Sequence, residues 1–119
     1  MNWINGTHLG GYVNLDAAWK VTLMQNSNAE VYFPGNAQGT IIQGDMTPLK
    51  ALLNDPKSPW VDQQTQTYVN IALATNIVVT VGMGGKTATL TIPSVGTVSV
   101  TTYSGTQSGI QKILNLIGP

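Results

Sequence analysis

The chain has 119 residues, which is enough for one ordinary domain with a modest core. Only 8% of the residues are charged, with five lysines, no arginine and a net charge of zero. The lack of cysteine excludes disulfides and thiolate metal sites, and no apolar run approaches the about 18 residues that a membrane helix needs. The first residues lack the basic and apolar segments of a secretory signal, so we expect folding in the cytoplasm.

Short patterns in the first half of the chain recur in the same order in the second half. The matched positions are 56 to 62 residues apart. They are Trp3 with Trp60, Tyr12 with Tyr68, Val21 with Val79, Val31 with Leu90, Gly39 with Gly96 and Lys50 with Lys112. Six matches in one order indicate an internal duplication.

Each copy begins with the alternation of apolar and polar residues that is typical of strands. In the first copy this alternation covers residues 12–15, 20–23 and 30–33, and in the second it covers 87–92 and 97–101. Pro34 and Pro93 each end a strand, because proline cannot donate a hydrogen bond to a ladder.

Each copy then changes to helical spacing. Residues 46–55 favour a helix in which Thr47 caps the N-terminus and Pro48 takes the first helical position. Residues 108–118 place Ile110, Ile113 and Leu114 on one helical face. The prolines at 56 and 59 prevent a helix between the copies.

The pattern therefore predicts four strands followed by a helix in each copy. One short helix cannot cover a four-stranded sheet, whereas two copies can cover each other. We expect an α+β fold in which two tandem ββββα repeats form an intramolecular pseudo-twofold dimer of antiparallel sheets. Residues 1–119 then form a single domain, with repeat 1 at 1–55, a linker at 56–59 and repeat 2 at 60–119.

The stretch from 79 to 92 contains Gly85-Lys86-Thr87, which is similar to the end of a phosphate-binding P-loop. A P-loop would require glycine at position 80, where this chain has threonine, and it would open a helix. Alternating residues follow instead, so we interpret the stretch as a hairpin.

Side chains for catalysis are sparse. His8 is the single histidine and lies in a glycine-rich stretch, and the nearest acid, Asp16, gives no sign of orienting it. The acidic residues are scattered along the chain at Asp16, Glu30, Asp45, Asp55 and Asp62. We therefore expect no enzymatic activity, no cofactor and no metal site.

Aromatic side chains offer an interaction surface instead. The predicted surface consists of Trp3, Tyr12, Tyr32, Trp60 and Tyr68. The duplicated order of strands and a helix resembles the PUR/whirly architecture, a resemblance that implies binding of single-stranded nucleic acid on the sheet. Phosphate binding relies on Arg and Lys, however, and this chain has no arginine and no net positive charge. We therefore do not expect nucleic acid as a partner.

The strand at 12–16 reads YVNLD, the strand at 68–71 reads YVNI, and the expected surface is neutral and rich in hydroxyl and amide groups. In these features the chain resembles small accessory proteins of tailed-phage virions, including capsid decoration proteins. This resemblance implies a non-enzymatic structural protein in the virion, bound to a protein shell or to its own copies and not to a membrane. Two alternatives stay open. One is a whirly-like single-stranded nucleic-acid-binding protein, and the other is a small bacterial protein-interaction module.

Overall fold

The structure, a computed structural model, describes residues 3–5, 12–25, 27–44, 46–64, 66–82, 85–101 and 108–117. Within these ranges the predicted α+β class is confirmed: most residues lie in antiparallel strands, and two α-helices pack on them. The strands are β1 (Trp3–Asn5), β2 (Tyr12–Asn14), β3 (Lys20–Met24), β4 (Asn28–Tyr32), β5 (Thr40–Gln43), β6 (Trp60–Gln64), β7 (Thr67–Asn70), β8 (Asn76–Gly82), β9 (Gly85–Ile92) and β10 (Gly96–Thr101). The helices are α1 (Thr47–Asn54) and α2 (Ser108–Ile117), and 3-10 turns occupy Leu15–Ala17 and Ile71–Leu73.

The two halves of the described chain have the same order of elements. Each half contains two strands, a 3-10 turn, three strands and a helix. Each therefore has five strands where the sequence predicted four. The additional strands are β1 and β6, which pair with β2 and β7 in short antiparallel ladders.

The largest sheet combines strands from both halves. Its order is β5-β4-β3-β7-β6, so a hairpin of the second half extends the sheet of the first half. The joint is a three-residue ladder in which Lys20 lies opposite Val69 and Thr22 lies opposite Thr67. The remaining strands form a two-stranded sheet, β1-β2, and a three-stranded sheet, β10-β9-β8.

Two hydrophobic cores lie on opposite faces of the five-stranded sheet. Successive side chains of a strand point to opposite faces, and Trp60 accordingly packs in the first core while Val61 packs in the second. The first core lies under α1 and contains Val13, Leu15, Ala18, Val21, Ala29, Val31, Ile42, Met46, Leu49, Leu53 and Trp60. The second lies between the sheet, the β8–β10 layer and α2, and contains Val61, Val69, Ile71, Ala88, Leu90, Ile92, Val98, Val100, Ile110 and Ile113.

Both helices lie close to their predicted positions. In α1 the predicted cap is wrong, because Thr47 is the first helical residue and Met46 precedes it without a side-chain cap bond. Met46 is 6% exposed, and its side chain packs in the first core. In α2, Ile110 and Ile113 are buried as the spacing predicted. Neither helix is long and apolar enough to cross a membrane, a finding that covers the described residues.

The P-loop-like stretch is a hairpin, as predicted. β8 and β9 pair in register up to Gly82 opposite Gly85. Lys86 lies within β9 opposite Val81, so the lysine extends from a strand and not from a helix N-terminus. This geometry removes the phosphate-binding interpretation of that stretch.

Candidate functional site

A groove opens on the part of the five-stranded sheet that the second core leaves uncovered. Lys20 on β3 and Tyr32 on β4 lie directly opposite each other, both half-buried, on the floor of this groove. Trp19 immediately precedes β3 and packs against the edge of the second core. The turn after β4 and the turn after β9 form the rim. The volume is about 350 Å³, and the lining residues are Trp19, Lys20, Tyr32, Gly35, Asn36, Ala37, Ser94 and Val95.

The lysine contacts both aromatic rings of the groove. The Lys20 Nζ atom lies 4.2 Å from the centroid of the Tyr32 ring and 5.0 Å from that of the Trp19 ring. The two ring centroids are 6.4 Å apart and the ring planes are tilted by 56°. The two distances from the Lys20 Nζ atom to the ring centroids fall within the range of cation–π attraction, about 6 Å, so the rings hold the cation in place.

The Tyr32 ring is itself held by Glu30. The Tyr32 hydroxyl donates a hydrogen bond to Glu30 Oε1. This bond raises the pKa of the Tyr32 hydroxyl above its usual 10.0, and desolvation and the Glu30 charge raise it further. Gly39 leaves room for the carboxylate, since a Cβ at position 39 would lie 2.3 Å from Glu30 Cγ.

The rim brings one turn from each half of the chain close together. A Cβ placed on Gly35 would lie 3.9 Å from Ser94 Cβ, which is ordinary van der Waals distance. Gly35 has φ of 86° and Ser94 has φ of 67°, so both turns use the left-handed region. The groove is thus bounded by one turn from each half.

A second small cavity surrounds Lys112. Its volume is about 130 Å³, and it is lined by Leu53, Asn54, Trp60, Asp62, Tyr68 and Lys112. The Lys112 ammonium donates to Leu53 O at 3.3 Å, to Ser58 Oγ at 3.1 Å and to Trp60 O. Burial lowers the pKa of Lys112, and the nearby charge of Asp55 opposes that shift. The lysine joins α2 to α1 and to the linker, so we assign it a structural role.

The aromatic residues predicted as one surface occupy three separate places. Trp3 is 52% exposed and Tyr12 is 65% exposed, and their register places both on one face of the β1–β2 ribbon. Tyr32 lies in the groove, and Tyr68 is half-buried beside Lys112. Trp60 is 1% exposed, so its assignment to a surface was wrong, because the first core encloses its ring.

Sequence reasoning missed Trp19 and Lys20. The available signal was that a Trp-Lys pair begins a strand whose antiparallel neighbour ends in Tyr32, which places the three side chains together. Of the residues considered for catalysis, Asp16 is exposed and His8 and Asp45 lie outside the described residues. Across the described ranges, no group of three or more His, Asp or Glu residues is placed to hold a metal ion.

Similarity to known proteins is found at the level of the fold. No protein-family model and no curated protein matches the chain. Among solved structures, the chain is similar to the LytTr DNA-binding domain of a response regulator from Bacillus cereus, with a TM-score of 0.60 and 13% sequence identity. The match covers 100% of this chain and 99% of that one. At this identity the likeness concerns the fold.

This likeness contradicts the virion interpretation. The structural counterpart is a DNA-binding domain and not a phage structural protein, so the capsid decoration role, the shell partner and the virion location are not retained. The expectation that nucleic acid is not a partner is contradicted by the same likeness. It rested on net charge, which averages over the whole surface, whereas binding depends on where individual cations and polar groups lie.

Proposed function

We propose that the chain is a DNA-binding domain that acts by binding and not by catalysis. The observation that carries the proposal is the similarity of fold to a LytTr DNA-binding domain over the full length of both chains. A shared fold alone does not determine function. The groove adds a site with suitable chemistry, because it combines a cation, two aromatic rings and hydroxyl and amide groups.

The low charge sets the kind of binding that we expect. Protein contacts to DNA phosphates come from lysine and from Ser, Thr, Asn, Gln and backbone N–H groups, and this chain is rich in the uncharged members of that set. Lys112 is engaged inside the protein, which leaves four lysines at most for phosphates. Affinity should therefore be modest and should fall less steeply with salt than that of proteins that make about 6–10 phosphate contacts.

The proposal includes the duplication as its structural basis. We infer that two tandem repeats, each with one strand more than predicted, form an intramolecular pseudo-twofold pair within a single domain of residues 1–119. Matching ladders support this inference: Trp3 lies opposite Asn14, and Trp60 lies opposite Asn70. So do matching 3-10 turns, in which Asn14 Oδ1 accepts from Asp16 N and Asn70 Oδ1 accepts from Ala72 N, both at 3.0 Å.

Fluorescence anisotropy tests the DNA proposal. A labelled random-sequence duplex of about 30 bp and the corresponding single strand would be titrated with protein between about 50 and 200 mM salt. Because affinity changes by about −0.9 log units per log unit of salt for each neutralised phosphate of a duplex, four lysines predict a slope no steeper than about −3.6.

The matched control carries Lys→Gln substitutions at positions 20, 50, 57 and 86. Circular dichroism would verify that it stays folded. Loss of most of the salt dependence in this variant supports the proposal. No anisotropy change with either DNA at about 100 µM protein, the weak limit of the usual Kd range for non-specific binding, would overturn it.

A further inference from the structure

We propose that the groove lined by Trp19, Lys20 and Tyr32 holds one nucleotide unit, with its phosphate on the Lys20 ammonium and its base against the aromatic rings. The inference rests on the proposed DNA-binding function and names the subsite at which an unpaired nucleotide would sit. Its chemistry is that of a phosphate attached to a flat heterocycle. The source of that unit is either a DNA strand or a free mononucleotide, and the experiment distinguishes them.

The Lys20 ammonium is available to an anion. Across the described residues, the structure gives the Lys20 ammonium two ring contacts and no carboxylate partner. The carboxylate of Glu30, on the neighbouring strand, accepts the hydrogen bond of the Tyr32 hydroxyl instead. Contact with ring faces uses none of the ammonium hydrogens in conventional hydrogen bonds, so they remain suited to an anion.

The rim of the groove supplies polar groups that suit a phosphate or a sugar. Asn36 and Ser94, from the two turns, place an amide and a hydroxyl beside the groove. These groups contact phosphate and sugar oxygens in many DNA complexes. Gly35 adds no side chain, and even a Cβ there would only reach Ser94 Cβ at 3.9 Å, so the two turns stand close together without closing over the floor. The volume of about 350 Å³ lies within the usual range of ligand sites, about 300–1,000 Å³.

The aromatic rings of the groove favour a nucleotide over a simple anion. Trp19 and Tyr32 are half-buried and present ring surface to the groove beside the cation. Aromatic side chains stack on bases of any sequence, because every base has a π-face. A base inside a duplex already stacks on its neighbours, so the groove favours a single strand or an unpaired end over an intact duplex.

Two pairs of variants test the assignment. Lys20→Gln removes the groove cation, and Lys57→Gln removes the same charge from an exposed position in the linker. Tyr32→Leu removes a ring, and Tyr32→Phe retains the ring while it removes the bond to Glu30. The probes are a labelled single strand of about 12 nucleotides, the matching duplex, deoxyadenosine monophosphate and inorganic phosphate.

We expect Lys20→Gln and Tyr32→Leu each to weaken single-strand binding about tenfold. Lys57→Gln lies outside the groove and should leave the binding of deoxyadenosine monophosphate within about twofold of the parent protein, whereas Lys20→Gln should weaken it. Tyr32→Phe keeps the ring but frees the Glu30 carboxylate, so it should lose less than Tyr32→Leu. Deoxyadenosine monophosphate should compete with the strand and quench tryptophan fluorescence, and inorganic phosphate should compete far less well. Circular dichroism and urea unfolding confirm that every variant is folded.

The outcomes separate the subsite from the function. If DNA binds but Lys20→Gln behaves like Lys57→Gln, the groove assignment is wrong while DNA binding stands. If no DNA binds but deoxyadenosine monophosphate binds the parent and not Tyr32→Leu, the groove stands and the source is a free nucleotide. If inorganic phosphate competes as well as the nucleotide, the base plays no part and the assignment fails. If no probe binds, both proposals fail.

Discussion

The hairpins β1–β2 and β6–β7 have the same ladder but different surroundings. Trp3 lies opposite Asn14 in one, and Trp60 lies opposite Asn70 in the other. Trp3 is nevertheless 52% exposed, whereas Trp60 is 1% exposed. The difference arises because β7 joins β3 of the other half, while β1 and β2 form a separate two-stranded sheet. Local sequence thus determines the hairpin, and the partner in the other half determines what the hairpin buries.

Hydrogen bonds of Asn70 add to the difference between the two hairpins. Asn70 is 1% exposed, and its Nδ2 donates to Ala18 O at 3.0 Å, so it connects the halves as well as capping its own turn. Its backbone N–H also donates to Trp19 O at 2.9 Å. Asn14 caps its own turn in the same way but is only half-buried. The second hairpin is therefore tied into the fold by polar bonds as well as by apolar packing.

Truncation of Trp3 and of Trp60 should give the largest difference in stability between the two hairpins. Trp60→Ala leaves a cavity in the first core, so we expect a loss of about 3–5 kcal/mol in the free energy of unfolding. Trp3→Ala removes a half-exposed ring and should cost under about 1 kcal/mol. Urea unfolding of both variants measures the difference. Equal losses would mean that the β1–β2 ribbon is packed as tightly as β6–β7.

The two lysines that were matched in sequence, Lys50 and Lys112, give the second comparison. Lys50 is exposed on α1, whereas Lys112 on α2 donates to three oxygens around the linker. Lys112→Met would leave those acceptors without their donor, so we expect a loss of about 2–3 kcal/mol. Lys50→Met should stay within about 0.5 kcal/mol of the parent. If thermal and urea unfolding give equal losses for both, Lys112 is not the joint between α2 and the linker.

The sequence predicted the local elements well, because alternation and helical spacing are local properties. The sequence matched Val21 with Val79, whereas the strand pairing matches Val21 with Ile77, two positions earlier. Val21 pairs with Val31, and Ile77 pairs with Leu90, the residue matched with Val31. A shift of two residues keeps the same face of a strand, so the face assignment survived. The addition of β7 to β3 was not predictable, because both hairpins carry the same local pattern.

The groove was harder to predict than the fold. Tyr32 was identified by its exposure on an alternating strand, but Lys20 gains its role only through the register that sets it opposite Tyr32. The rim combines turns that are 59 residues apart in sequence, at positions 35 and 94. Side chains brought together by tertiary contacts leave no spacing signal, and neutral net charge pointed away from nucleic acid.

Gly39, which precedes β5, and Gly96, which opens β10, have different surroundings. Gly39→Ala would place a Cβ against Glu30 Cγ, so Glu30 must rotate away, and we expect a loss of about 1 kcal/mol. Gly96 has no neighbour within 4 Å of its Cβ position, and Gly96→Ala is limited only by its φ of 110°. The double variant Gly39→Ala/Glu30→Ala tests the cause by urea unfolding. The losses in the free energy of unfolding from Gly39→Ala and Glu30→Ala should be non-additive. The losses from Gly96→Ala and Glu30→Ala should be additive.

The smallest effect is a pH dependence of the free energy of unfolding that arises at Tyr32. The folded state raises the pKa of Tyr32, so the protonated hydroxyl is favoured by folding. Its contribution is fully present below the unfolded pKa of about 10 and is lost as the pH rises through the higher folded value. Because Tyr32 is partly exposed, we expect the parent protein to exceed Tyr32→Phe by under about 1 kcal/mol at pH 8.

Urea unfolding between about pH 8 and pH 11 measures this dependence, since the unfolded tyrosine titrates near the middle of that range. The difference between the parent protein and Tyr32→Phe should shrink above about pH 10, and groups common to both proteins, including Lys112, cancel from it. Thr91 lies 59 positions after Tyr32 and has no titratable side chain, so Thr91→Val should give a difference from the parent that does not change with pH. If the difference in the free energy of unfolding between the parent protein and Tyr32→Phe stays constant across this pH range, the Tyr32 hydroxyl is not held by Glu30. The floor of the groove would then lack the support that orients its ring toward Lys20.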